Sequence, residues 1–131
     1  MMRGRGLAAQ GAERAIIFAA MSGVRLFVYG SLKRGGRHHD QLEGAAFLGE
    51  VETAAGYALE PVGEYLALVA QAGAGNVSGE LFEISQARLP ALDNFEGEAY
   101  FRGEVSLSDA GAVWAGLRPG ETALAYFKKP R

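Results

Sequence analysis

Apolar residues fall along this chain in short blocks, most of them closed by glycine or small polar residues. The first block, Val24-Arg-Leu-Phe-Val-Tyr29, is apolar on both faces, which predicts a strand buried in the middle of the fold and stopped at Gly30. From Phe47 to Tyr57 the alternation is cleaner, with Phe47, Gly49, Val51 and Thr53 on one face and Glu50 and Glu52 on the other. Residues 65–70 are uniformly apolar, and the turn chemistry of Gly73-Ala-Gly-Asn76 predicts that 77–84 returns beside them as a hairpin partner. Strands over 100–107 and 122–127 bring the number to about six.

Helical spacing is clear in one segment. Leu89, Leu92 and Phe95 lie three apart and predict an inward-facing stripe. Ser85 is placed to cap the segment, Pro90 belongs in its first turn, and Gly97 ends it. One helical turn is expected over 38–42, after a loop at 31–36. Short strands with hairpin-length connections predict an α+β domain rather than βαβ units: a small mixed or antiparallel β-barrel of about six strands flanked by short helices.

Residues 1–22 have another character. Three arginines precede the apolar run Ala15–Ala20, which is too short to span a bilayer and lacks the pattern of a signal peptide. A loosely ordered extension over 1–22 and one domain over 23–131 are therefore expected. A chain of 131 residues, 49% hydrophobic and 21% charged, suits one soluble globular core. A net charge of −2 offers no footprint for nucleic acid and no polybasic segment for a membrane. With no cysteine there is no disulfide, no thiol nucleophile and no thiolate ligand, and a cytoplasmic location fits.

Three stretches carry candidate chemistry. Tyr29-Gly-Ser-Leu32 leaves a buried strand at a glycine, where successive amides can turn toward one anion; the residues alone also allow a plain turn. Leu92-Asp-Asn-Phe-Glu-Gly-Glu98 ends the helix with Glu96 beside the buried stripe, where apolar surroundings would raise a carboxyl pKa into the range of a proton shuttle. From that string alone, a solvated helix end with three ordinary surface acids is the favoured reading. Tyr100-Phe-Arg102 and Tyr126 supply aromatic groups that line a pocket or pack a core. His38 and His39 are adjacent on a polar loop without the i, i+4 spacing of a helical metal pair, and read as a surface or turn pair.

Phe27-Val-Tyr-Gly-Ser-Leu-Lys-Arg-Gly35, Leu92-Asp-Asn-Phe-Glu-Gly97 and Tyr100-Phe-Arg102, in that order, resemble the γ-glutamylcyclotransferase-like superfamily, nearest its γ-glutamylamine cyclotransferase and avirulence-induced-protein-like branch. The resemblance implies a barrel with a pocket at one mouth, and release of 5-oxoproline from a small γ-glutamyl substrate by intramolecular attack of its α-amine. It implies Glu96 as catalytic acid/base, substrate amides from Tyr29, Gly30, Ser31 and Leu32, and pocket tyrosines at Tyr100 and Tyr126. No metal and no organic cofactor is implied. Leu32 stands where the glutathione-degrading and dipeptide branches usually carry Asn, which points to the amine branch. A non-enzymatic ligand-binding or interaction module on the same fold is the alternative.

Overall fold

The computed structural model describes residues 23–109 and 121–130. The extension expected over 1–22 lies outside the described residues. Seven strands are present among them: β1 (Val24–Val28), β2 (Ala46–Glu52), β3 (Tyr57–Val62), β4 (Tyr65–Ala70), β5 (Ser78–Ile84), β6 (Tyr100–Ser106) and β7 (Thr122–Lys128). A 3₁₀ turn at His39–Leu42 follows the first loop, and a second at Gln86–Arg88 runs into helix α1 (Leu89–Glu96). The strands form one mixed sheet in the order β2-β5-β1-β7-β4-β3, with β6 paired to β7.

β1 is buried on both faces, as its pattern predicts, and it divides two cores. Phe27 points into one, with Val51, Leu68, Leu81, Val105 and Phe127. Leu26 and Val28 point into the other, where Leu89 and Leu92 of α1 pack with Phe82 and Tyr126. α1 starts as expected: the Ser85 hydroxyl accepts the Ala87 N–H at 3.2 Å, and Pro90 sits in the first turn. Gly97 ends it at φ +80, a conformation that disfavours any side chain.

Three expectations change. The strand predicted from Phe47 to Tyr57 is two strands, β2 and β3. The chain turns at Thr53, which is fully buried, because its hydroxyl accepts the Val77 N–H at 2.9 Å and donates to the Ala54 carbonyl at 2.7 Å. β3 tolerates Pro61 as an edge strand, where a missing N–H breaks no essential ladder. The hairpin predicted between 65–70 and 77–84 is not formed. β4 instead pairs with β3, Val62 opposite Tyr65, and β5 lies between β1 and β2.

The sheet is also not closed into the expected barrel. A single bridge, Thr53 to Leu107, ties the ends of β2 and β6 without a continuous ladder. On β7, β6 occupies one edge along its whole length, while β1 and β4 share the other through Leu124 and Phe127. The two strands meet β7 at different points and part from one another there. The fork that results holds a cavity.

Candidate active site

The cavity has a volume of about 310 Å³, within the range of small-molecule sites. On one side of the fork lie the end of β1 and the loop after it, Tyr29, Gly30, Ser31 and Leu32; across from them lie Glu96, Tyr100 and Tyr126. All seven residues singled out in the sequence therefore line one hollow. The acid at the far end of α1 and the turn that closes β1 face a common space.

The loop is built by its own hydrogen bonds. Lys33 N–H donates to the Gly30 carbonyl at 3.0 Å, and His38 N–H reaches back to the Ser31 carbonyl at 2.9 Å. A Cβ on Gly36 would stand 2.3 Å from that same Ser31 oxygen, so only glycine lets the loop fold back so closely. The Ser31 and Leu32 amides donate to no acceptor among the described residues, which leaves them for a bound anion. Nothing stands within 4 Å of the place where a Cβ on Gly30 would lie. From below, Glu80 on β5 clamps the loop: its carboxylate accepts the Arg34 N–H at 2.8 Å and lies 3.3 Å from Arg34 Nε.

The helix end is fixed from the opposite side. Tyr126 Oη donates to Asp93 Oδ1 at 2.7 Å, and Arg102 Nη1 lies 3.2 Å from Asp93 Oδ2. Asp93 and Glu96 are three residues apart and share a side of α1, so the ties to β6 and β7 also set where Glu96 stands. Tyr29 Oη donates to the Tyr126 carbonyl at 2.6 Å. Tyr29 and Tyr126 thus spend their hydroxyls on the frame, and Tyr126, one of the two expected pocket tyrosines, acts through Asp93.

Glu96 itself makes no hydrogen bond or ion pair to a described residue. Burial pushes its carboxyl from the ordinary 4.5 up to about 7. Burial, with the Glu96 charge behind it, also raises the Tyr100 phenol. Tyr29 is raised in the same way, and Tyr126 is raised by burial and by its bond to Asp93. A carboxyl that titrates near neutrality beside unspent amides is suited to moving a proton on a bound anionic substrate. Among the described residues no three His, Cys, Asp or Glu side chains are grouped to hold a metal ion. No helix among them is long and apolar enough to cross a membrane.

Six lining residues were not anticipated; Phe27 and Val28 belong to β1 itself, and the other four come from beyond it. His38 reaches the cavity because the loop folds back, bringing its Nδ1 to 3.0 Å from Ser31 Oγ. Its ring meets Phe95 edge-on at 5.1 Å. Phe95, expected inside with Leu89 and Leu92, is 37% exposed and stands at the cavity mouth. The helix is only eight residues long, and its last turn overhangs the cavity rather than the core. Tyr65 and Leu66 complete the lining from the start of β4. No sequence signal marks them, because their place depends on how β4 meets β7.

A family model described as γ-glutamyl cyclotransferase, AIG2-like, matches residues 26–131. The chain belongs to this family. A rat γ-glutamylaminecyclotransferase is 34% identical over 110 residues, covering 77% of this chain and 74% of the rat protein. Among solved structures, an uncharacterised Pyrococcus horikoshii protein superposes with a TM-score of 0.62 at 31% identity, covering 82% of this chain and 81% of that one. A mouse AIG2-like protein superposes at 0.59 with 26% identity, covering 82% and 77%. The family and its members make this chain an enzyme of the γ-glutamylcyclotransferase type, and its α+β mixed sheet is the family's fold.

Proposed function

We propose that this γ-glutamylcyclotransferase-like enzyme cleaves a γ-glutamyl amine to 5-oxoproline and a free amine, with Glu96 as the proton carrier. The supporting observation is that a partnerless carboxyl with a value near 7 shares one cavity with the unspent amides after β1. The substrate's α-carboxylate would sit against the Ser31 and Leu32 amides. That places the γ-carbonyl toward Glu96.

The nucleophile is already tethered to its target, so holding the glutamyl chain folded supplies much of the orientation that catalysis needs. Glu96 as carboxylate takes a proton from the α-ammonium. The freed nitrogen attacks the γ-carbon, forming the ring C–N bond, and an N–H at the loop can steady the oxyanion. Collapse breaks the bond to the leaving nitrogen, which receives the first proton from Glu96; the ring nitrogen then gives up its second proton through the same carboxylate, so the lactam is neutral and the amine leaves as an ammonium. One amide is exchanged for another, and no water, metal or redox partner enters the balance.

The test is Glu96→Gln assayed for 5-oxoproline on a γ-glutamyl amine. Loss of turnover by about 10² to 10⁴, the usual weight of general acid–base catalysis, with the fold retained, is the expected result. A rate equal to that of the parent protein would rule out Glu96 as the carrier.

A further inference from the structure

Five large apolar side chains are exposed among the described residues: Phe47, Tyr65, Leu66, Phe95 and Phe101. Two of them lie against neighbours away from this cavity. The Arg34 guanidinium lies 3.5 Å above the Phe47 ring, and Phe101 stacks on Phe127 at 5.4 Å. The other three all line the cavity, with the His38 ring set between Tyr65 at 6.0 Å and Phe95 at 5.1 Å. Exposed apolar surface gathered on one rim marks a place that something else covers.

The charges at this rim narrow what that is. Glu96 is the one carboxylate that lines the cavity, and no lysine or arginine lines it among the described residues. Arg37, the neighbour of His38 in the chain, donates to the Tyr65 hydroxyl at 3.4 Å and lies 3.5 Å from Glu64 in an exposed ion pair. A second carboxylate on the ligand would meet Glu96 inside and Glu64 outside, and among the described residues no lysine or arginine lines the cavity to receive it. An apolar tail would meet the collar.

Geometry gives the tail its direction. With the glutamyl head against Ser31 and Leu32 and its γ-carbonyl toward Glu96, the leaving nitrogen's substituent passes Phe95, the neighbour of Glu96 in the chain. It then runs out between Tyr65 and Leu66. We infer that this collar selects γ-glutamyl conjugates whose leaving amine carries an alkyl or aryl body and no second carboxylate. The inference rests on the cyclotransfer reading above and adds to it the class of the leaving group.

Full burial of a methylene is worth about fourfold in kcat/KM, and a collar open on one side returns about twofold. The full chain is assayed for 5-oxoproline on γ-glutamyl-methylamide, -butylamide, -hexylamide and -benzylamide, and on the γ-glutamyl conjugate of 6-aminohexanoate. The expected series rises with chain length, by on the order of tenfold or more from methylamide to hexylamide. The aminohexanoate conjugate falls about tenfold below the hexylamide, because it carries its carboxylate into the same rim. Leu66→Ser and Phe95→Ser each lower the hexylamide-to-methylamide ratio. Leu66 is 49% exposed, so that variant keeps the test open if Phe95→Ser folds poorly.

A flat series overturns the inference while leaving cyclotransfer intact. So does an aminohexanoate conjugate turned over as well as the hexylamide, or a ratio unchanged in both variants. No 5-oxoproline from any conjugate overturns the cyclotransfer reading, and this inference with it.

Discussion

Glu80 lies beneath the loop that follows β1, with 8% of its surface exposed, and meets the backbone N–H and guanidinium of Arg34. Glu96 lies across the cavity at the end of α1, is pushed up to about 7 by burial, and meets no described donor. The sequence offers the same residue type in both places. What separates them is whether the surroundings answer the charge. A buried carboxylate that is answered holds structure together, and one left unanswered keeps a proton available near neutrality.

The largest expected effect falls on the unanswered member: the loss of turnover in Glu96→Gln by about 10² to 10⁴. Glu80→Gln sharpens the contrast, since it keeps an acceptor for Arg34 and should leave kcat within about tenfold. Equal losses in the two variants would dissolve the distinction. Next in size is Glu80→Ala. It strands the Arg34 N–H and releases the loop that carries Ser31 and Leu32, at a cost of about 2–3 kcal/mol in urea unfolding. KM should rise more than kcat falls, because the loop binds and does not carry the proton.

The pH profile comes third. Glu96 must be ionised to accept the ammonium proton, so kcat should climb about tenfold per pH unit from below and level off near the carboxyl's value of about 7. The residual rate of Glu96→Gln should lack that inflection. A profile in the parent protein that breaks near the ordinary carboxylate value of 4.5 instead would mean that water reaches Glu96 freely.

Much of this arrangement was legible in the sequence, where local chemistry decides it. The two-faced apolar run of β1 announced a strand between two cores, and Ser85, Pro90 and Gly97 marked α1 at both ends. Where long-range pairing decides, the pattern fell silent. A buried threonine hydroxyl at Thr53, together with the positive φ of Gly56, divides β2 from β3. The Gly73–Asn76 turn looked like a hairpin, but β4 and β5 found other partners. Tyr65, Leu66 and His38 entered the cavity for the same reason: their positions are set by the fork of β1 and β4 on β7 and by the fold-back over Gly36. Periodicity read Phe95 as core because three-residue spacing cannot show that the helix outruns the layer beneath it.

The smallest expected effect gives the comparison its finest edge. The folded protein holds the Glu96 proton up to about 7, whereas an unfolded chain releases it near the ordinary 4.5. Between those values the unfolded state ionises first, so stability falls as pH rises through the window and stays level above it. Glutamine carries no charge to bury. Above pH 7, Glu96→Gln should therefore be more stable than the parent protein, by on the order of 1 kcal/mol once solvent screening of a part-open group is allowed for. Below pH 4.5 the gap should close, because the parent side chain is then neutral as well. Thermal unfolding at pH 8 and pH 4 measures both limits. A variant that gains stability as it loses turnover is what a site built around an unanswered charge requires. If Glu96→Gln is instead the less stable protein at pH 8, some group answers Glu96 in solution as Arg34 answers Glu80, and the two carboxylates are of one kind after all.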